Sequence, residues 1–73
     1  MPRPYATHQI IKVLECQGFI FVSQRGSHAK YRKSSSRTVL TAIVHIHGKE
    51  IPYGTFRSIL RQTRLKEYDF NGN

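Results

Sequence analysis

Phe19-Ile20-Phe21-Val22-Ser23-Gln24-Arg25-Gly26-Ser27-His28-Ala29-Lys30-Tyr31-Arg32 decides the fold, because it reads as two strands and the turn between them. Phe19 to Ser23 is a short run of β-branched and aromatic residues, which predicts a strand. Arg25-Gly26-Ser27 turns the chain. From His28 the residues alternate, with His28, Lys30 and Arg32 on one face and Ala29 and Tyr31 on the other. Arg25-Gly26-Ser27-His28 therefore sets a histidine at the head of a basic strand face, and chemistry is expected there.

Working outward, Lys33 to Arg37 contains three serines and is a polar connection. Thr38 to Ile46 is the longest strand candidate. Leu40, Ala42, Val44 and Ile46 share one of its faces; Val39, Thr41, Ile43 and His45 share the other. Both faces are fairly apolar, so alternation does not decide which one is covered. Before the hairpin, Thr7 is the expected cap of a helix reaching about Gln17. Ile10, Val13 and Leu14 form its buried face, and Gly18 supplies the left-handed residue that ends it. After the strands, His47-Gly48-Lys49-Glu50 is a loop. A second helix runs from Gly54 or Thr55 to Thr63, with Phe56, Ile59 and Leu60 inward and Arg57, Arg61 and Arg64 on an adjacent stripe.

The order α-β-β-β-α predicts an α+β fold: one small domain with a three-stranded antiparallel sheet and both helices on one face. At 73 residues the chain has room for one domain only, residues 1–73. Its core is expected over about 7–65, with residues 1–6 as an arm and 66–73 as a tail in which Tyr68 and Phe70 pack back.

Twelve Lys and Arg against four Asp and Glu give a net charge of +8. On so small a body that field draws anions, and nucleic acid is the leading partner. A solvated basic surface, or one matched to an acidic protein, is the plainer alternative. The single cysteine, Cys16, excludes an internal disulfide and fits a reducing compartment. No signal-peptide pattern and no membrane-length apolar run are read, so the expected location is cytoplasmic, with no membrane partner.

The charge pattern also narrows the chemistry. Metal-dependent phosphodiester cleavage needs clustered carboxylates. Glu15, Glu50, Glu67 and Asp69 are scattered over a helix, a loop and the tail, so neither a metal nor another cofactor is expected. His45-Ile46-His47 lacks an evident third ligand and reads as two solvent-facing histidines. Cys16 has no evident base beside it. Ser27 and His28 are neighbours and point to opposite faces, so Ser27 is a positioning residue or phosphate donor rather than a nucleophile. Metal-free RNA cleavage remains. RNA brings its own nucleophile, the 2′-hydroxyl, and one imidazole is able to take its proton or protonate the leaving oxygen. Arg25, Lys30 and Arg32 surround His28 with charge for the phosphate. From the residues alone, an exposed strand histidine is the default reading of His28 and the acid–base role its alternative. Lys49, Arg57 and Arg61 are further candidate RNA contacts, or solvated cations. Tyr53 is expected to be exposed, and Tyr31 to be core.

Three runs resemble the HicA family of bacterial and archaeal toxins over roughly residues 7 to 65. They are Gln24-Arg25-Gly26-Ser27-His28, His47-Gly48-Lys49-Glu50-Ile51-Pro52 and Gly54-Thr55-Phe56-Arg57-Ser58-Ile59-Leu60-Arg61-Gln62. The resemblance implies a fold like a double-stranded-RNA-binding domain. It also implies an mRNA interferase activity that arrests translation, with His28 as the catalytic residue. The implied partners are mRNA or other single-stranded RNA and a HicB-like antitoxin. Two positions depart from the family pattern. His45 stands where relatives often have proline, and Thr63-Arg64-Leu65 replaces Ala-Gly-Leu, so the second helix is expected to end less cleanly. A non-catalytic RNA-binding module on the same fold, or a pure interaction protein with an acidic partner, are the alternative functions.

Overall fold

In the computed structural model, which describes residues 5–46 and 48–71, the chain runs in eight elements. They are β1 (Tyr5–Ala6), α1 (Thr7–Cys16), β2 (Ile20–Arg25), β3 (His28–Ser34), β4 (Val39–His45), β5 (Glu50–Ile51), α2 (Tyr53–Thr63) and a closing 3₁₀ helix (Glu67–Phe70). Strands β2, β3 and β4 form an antiparallel sheet in sequence order. The α+β fold, with its two helices and three-stranded sheet, is the one the sequence predicts.

One face of the sheet is covered and the other is open. Ala29 and Tyr31 of β3 and Ala42 and Val44 of β4 are buried. Ala29, Tyr31 and Val44 share a cluster with Ile10 and Leu14 of α1 and Phe56 and Ile59 of α2, so both helices cover that face. The ambiguity of the third strand is thus resolved: its Ala42 and Val44 side is inward, while Val39 on the other side is 60 % exposed. Alternation places successive side chains on opposite faces, so these same strands send His28, Arg32 and His45 outward, all exposed.

Helix ends follow from local chemistry. Gly18 has φ +99°. Its N–H donates to Glu15 O, and the Phe19 N–H donates to Leu14 O at 2.9 Å. This pair of bonds satisfies carbonyls that a helix end leaves open, and Phe19 packs in the same buried cluster as Leu14. At the end of α2, Arg64 adopts φ 61° and ψ 20°, and its N–H donates to Leu60 O. The helix therefore stops cleanly at Thr63 without glycine, with an arginine taking the left-handed turn. Thr63 is buried and its hydroxyl donates to Ile59 O at 2.8 Å, so no polar atom is stranded there.

A second, two-stranded sheet pairs β1 with β5, Tyr5 opposite Ile51 and Ala6 opposite Glu50. Thr7 N–H extends the pairing to Lys49 O at 2.9 Å. The segments that precede the two helices are thereby tied together. Phe56 lies at the centre of an aromatic group. Tyr5 stacks on it with centroids 4.0 Å apart, and Phe70 meets it edge-on at 5.0 Å. The hydroxyls of Tyr5 and Tyr53 both donate to the Glu67 carboxylate.

Several local expectations are corrected. Thr7 is the first helical residue and Ala6 the cap position, with no side-chain capping bond. The second helix opens at Tyr53 with Pro52 as its cap position, so Thr55 lies inside the first turn. Both caps are positions where the chain enters from a β1 or β5 strand, and the strand geometry fixes the start. Phe70 packs back, but Tyr68 is 74 % exposed. Tyr53 is half-buried rather than exposed, held by Phe56 and Glu67. Among the described residues no helix is long and apolar enough to cross a membrane. His47 lies outside the described residues, so the pairing of His45 with His47 does too.

Candidate functional site

The turn that sets His28 is a two-residue connection, Gly26-Ser27, between the paired residues Arg25 and His28. Gly26 has φ +58°, as the first central residue of this kind of hairpin requires. A Cβ at Gly26 meets nothing within 4 Å, so the requirement is one of backbone and not of space. Gln24 Nε2 donates to Gly26 O at 3.0 Å. Ile46 N–H donates to Ser27 O at 2.8 Å, which fastens the turn to the chain just after β4. Ser27 thus contributes its backbone carbonyl to the framework.

A bulge decides which residues join His28. Phe21 pairs with Tyr31, but Ser23, two residues on, pairs with Lys30. Val22 is the extra residue. Simple alternation from Ile20 would turn Arg25 toward the helices. The bulge reverses the phase of β2 and brings Arg25 onto the open face, directly opposite His28.

Three rows then cross the open face: Arg25, His28 and His45; Ser23, Lys30 and Ile43; Ile20, Arg32 and Thr41. His28 and His45 are in contact, with ring centroids 4.3 Å apart and planes at 84°. Arg25, His28, Arg32 and His45 are exposed, and Lys30 is half-buried. The four candidates Arg25, His28, Lys30 and Arg32 therefore share one surface, with Ser27 in the turn beside them.

The remaining candidates lie elsewhere. Lys49 is exposed just before β5, and its carbonyl takes the Thr7 N–H. Arg57 and Arg61 are exposed on α2 and line a groove of about 520 Å³ with Arg64 and Lys66. That groove is built from α2 and the segment after it. Beside it, Gln62 ties α2 to the sheet, its Oε1 accepting the Ile43 N–H of β4 at 3.0 Å.

His45 is the residue that sequence reasoning missed as a partner of His28. The signal was the length of the β3–β4 connection. Taking Lys33 to Arg37 as the link would place His28 opposite Ala42. The link is instead Ser35 to Thr38, closed by Ser35 N–H to Thr38 O at 2.8 Å. Ser34 then pairs with Val39, and the same register carries His28 to His45.

Other groups are accounted for. Glu67 takes two tyrosine hydroxyls, and Asp69 Oδ2 accepts the Lys66 N–H at 2.8 Å. Among the described residues no three of His, Cys, Asp and Glu gather as a metal-binding group. Tyr31 faces the core. Burial pushes its hydroxyl above the ordinary tyrosine range, and the Glu15 carboxylate adds to this. It stays protonated near neutral pH and points away from His28. Cys16 is exposed at the end of α1.

A model of the family described as HicA toxin of bacterial toxin–antitoxin matches residues 7–65. A search of curated proteins finds no match.

Proposed function

Since the chain belongs to the HicA toxin family of toxin–antitoxin modules, we propose that it is a metal-independent endoribonuclease toxin whose acid–base group is His28. It cleaves mRNA or other single-stranded RNA in the cytoplasm, arrests translation, and is neutralised by a HicB-like antitoxin. The observation that carries the reading is the convergence of Arg25, His28, Lys30 and Arg32 on one open face, the last three by alternation along β3 and Arg25 through the bulge at Val22.

The chemistry follows from those residues. A phosphate drawn to Arg25, Lys30 and Arg32 comes to rest beside the His28 imidazole. The imidazole moves a proton on or off an oxygen of the phosphodiester, and such a group contributes about 10²–10⁴-fold to a rate. The cations take up charge that builds on the phosphoryl oxygens as the 2′-hydroxyl attacks. DNA lacks that hydroxyl and is not a substrate. Ser27 holds the turn, while Lys49, Arg57 and Arg61 contact phosphates farther along a longer strand.

The test is incubation of RNA with purified protein in EDTA, wild type beside His28→Ala. Cleavage by wild type alone is expected. Equal cleavage by both, or cleavage that EDTA abolishes, sinks the reading.

A further inference from the structure

We propose that His45 is the second proton-transfer group of the site and works with His28 as an acid–base pair. The proposal rests on the reading of His28 given above. Cleavage through the 2′-hydroxyl needs two proton transfers, one off the nucleophile and one onto the leaving oxygen. A single imidazole is placed for either, and the second group has to come from the same surface.

Three features of the fold bring His45 there. The β3–β4 register sets it directly opposite His28. The rings touch, with centroids 4.3 Å apart and planes at 84°. The Ile46 N–H to Ser27 O bond, at 2.8 Å, ties the backbone next to His45 to the turn that carries His28. The contact leaves the ring nitrogens available. A linear hydrogen bond between two ring nitrogens at the usual separation of ~3 Å would hold the centroids roughly 5 Å apart, wider than observed. Both side chains are exposed, so a phosphodiester has access to both edges.

Among the described residues, other proton carriers are placed less well. Glu67 and Asp69 are engaged in bonds that fold the tail. Tyr31 is on the covered face. The neighbours of His28 from β2 and from the next row are Arg25 and Lys30, which hold positive charge and serve the phosphate rather than the proton.

The step balances with the two imidazoles alone. The ring acting as base takes the proton of the 2′-hydroxyl. The bond from O2′ to phosphorus forms as the bond from phosphorus to O5′ breaks. The ring acting as acid gives its proton to O5′. The products are a 2′,3′-cyclic phosphate and a 5′-hydroxyl end, and exchange with water resets the pair. The attacking and leaving oxygens sit on opposite sides of one phosphorus, and two adjacent rings are able to serve both.

The experiment compares wild type, His28→Ala, His45→Ala and His45→Phe in EDTA. His45→Phe keeps a ring against His28 but carries no proton. Two substrates are used: an RNA strand, and the same strand with sulfur in place of the bridging 5′ oxygen at a mapped cleavage site. A thiolate leaves without a proton donor. All three variants are expected to cut the all-oxygen strand at least about 10²-fold more slowly than wild type. One alanine variant, the one that lost the acid, is expected to recover on the sulfur strand, and the other is not. Melting temperatures report that the exposed substitutions leave the fold intact.

Wild-type cutting by His45→Ala overturns the proposal. So does rescue by His45→Phe, which reduces His45 to a support for the His28 ring, and so does failure of sulfur to rescue either alanine variant. In these outcomes His28→Ala remains inactive and the reading of His28 survives. If wild type does not cut, or His28→Ala cuts as well as wild type, that reading fails and this proposal with it.

Discussion

The two faces of β3 and β4 differ by one residue in sequence and by their whole purpose in the fold. Ala29, Tyr31, Ala42 and Val44 close the core under both helices. His28, Lys30, Arg32 and His45, their immediate neighbours, form the open basic face. The covered face holds the molecule together through buried apolar area, which is worth about 25 cal/mol per Å². The open face adds little to that and is free to carry charge and titratable groups. Stability and activity should therefore separate by residue parity along the same strand.

The largest break of that separation is expected from the covered side. Phe56→Ala removes the ring that Tyr5 and Phe70 pack against. The expected cost is about 3–5 kcal/mol. At about 4–8 °C per kcal/mol for a domain of this size, thermal melting should show a loss of more than ten degrees, with activity falling because the protein unfolds. His28→Ala on the open side should leave the melting curve within about 0.5 kcal/mol of wild type.

Gly26→Ala comes next and acts on the junction between the two faces. Its Cβ meets no neighbour within 4 Å, so the cost is that of a left-handed backbone, about 1–2 kcal/mol. A melting temperature unchanged from wild type would show that the turn has another conformation to adopt.

Salt titrations of RNA binding sharpen the comparison between the sheet face and the α2 groove. Each phosphate contact adds about 0.7 to the slope of log affinity against log salt for single strands. Lys30→Gln and Arg32→Gln are each expected to lower the slope by that amount, and so are Arg57→Gln and Arg61→Gln. An unchanged slope in the last two would confine the strand to the sheet face.

The smallest effect is expected at Arg64, which lies on neither sheet face, at the edge of the α2 groove, and holds φ 61°. Arg64→Gly relieves the left-handed strain and loosens the unfolded chain, for a net gain of at most about 1 kcal/mol. Melting should rise by a few degrees.

Much of this was legible in the sequence. The alternation of His28 to Arg32 predicted the outward and inward sets of β3 correctly, and Ile10, Leu14, Phe56 and Ile59 were found by helical spacing. Gly18 was legible because a helix end has a chemical signature. What escaped depended on long-range register. The bulge at Val22 shows no mark in a run of β-formers, yet it decides where Arg25 points. The contact of His28 with His45 needed the length of the β3–β4 link to within one residue, since a slip changes every pair. β1 and β5 are two residues each, too short for any periodic pattern, and exist because their partners are brought together by the helices they precede. Phe70 reads only as a tail residue that packs back, because its partner Phe56 lies fourteen residues away.

The central claim is tested most directly by one assay in EDTA, with an RNA strand and a DNA strand of the same sequence, wild type beside His28→Ala. Cleavage of RNA by wild type alone, leaving a 5′-hydroxyl end, is the predicted result. Cleavage of both strands by wild type, or of RNA by His28→Ala at the wild-type rate, would contradict it.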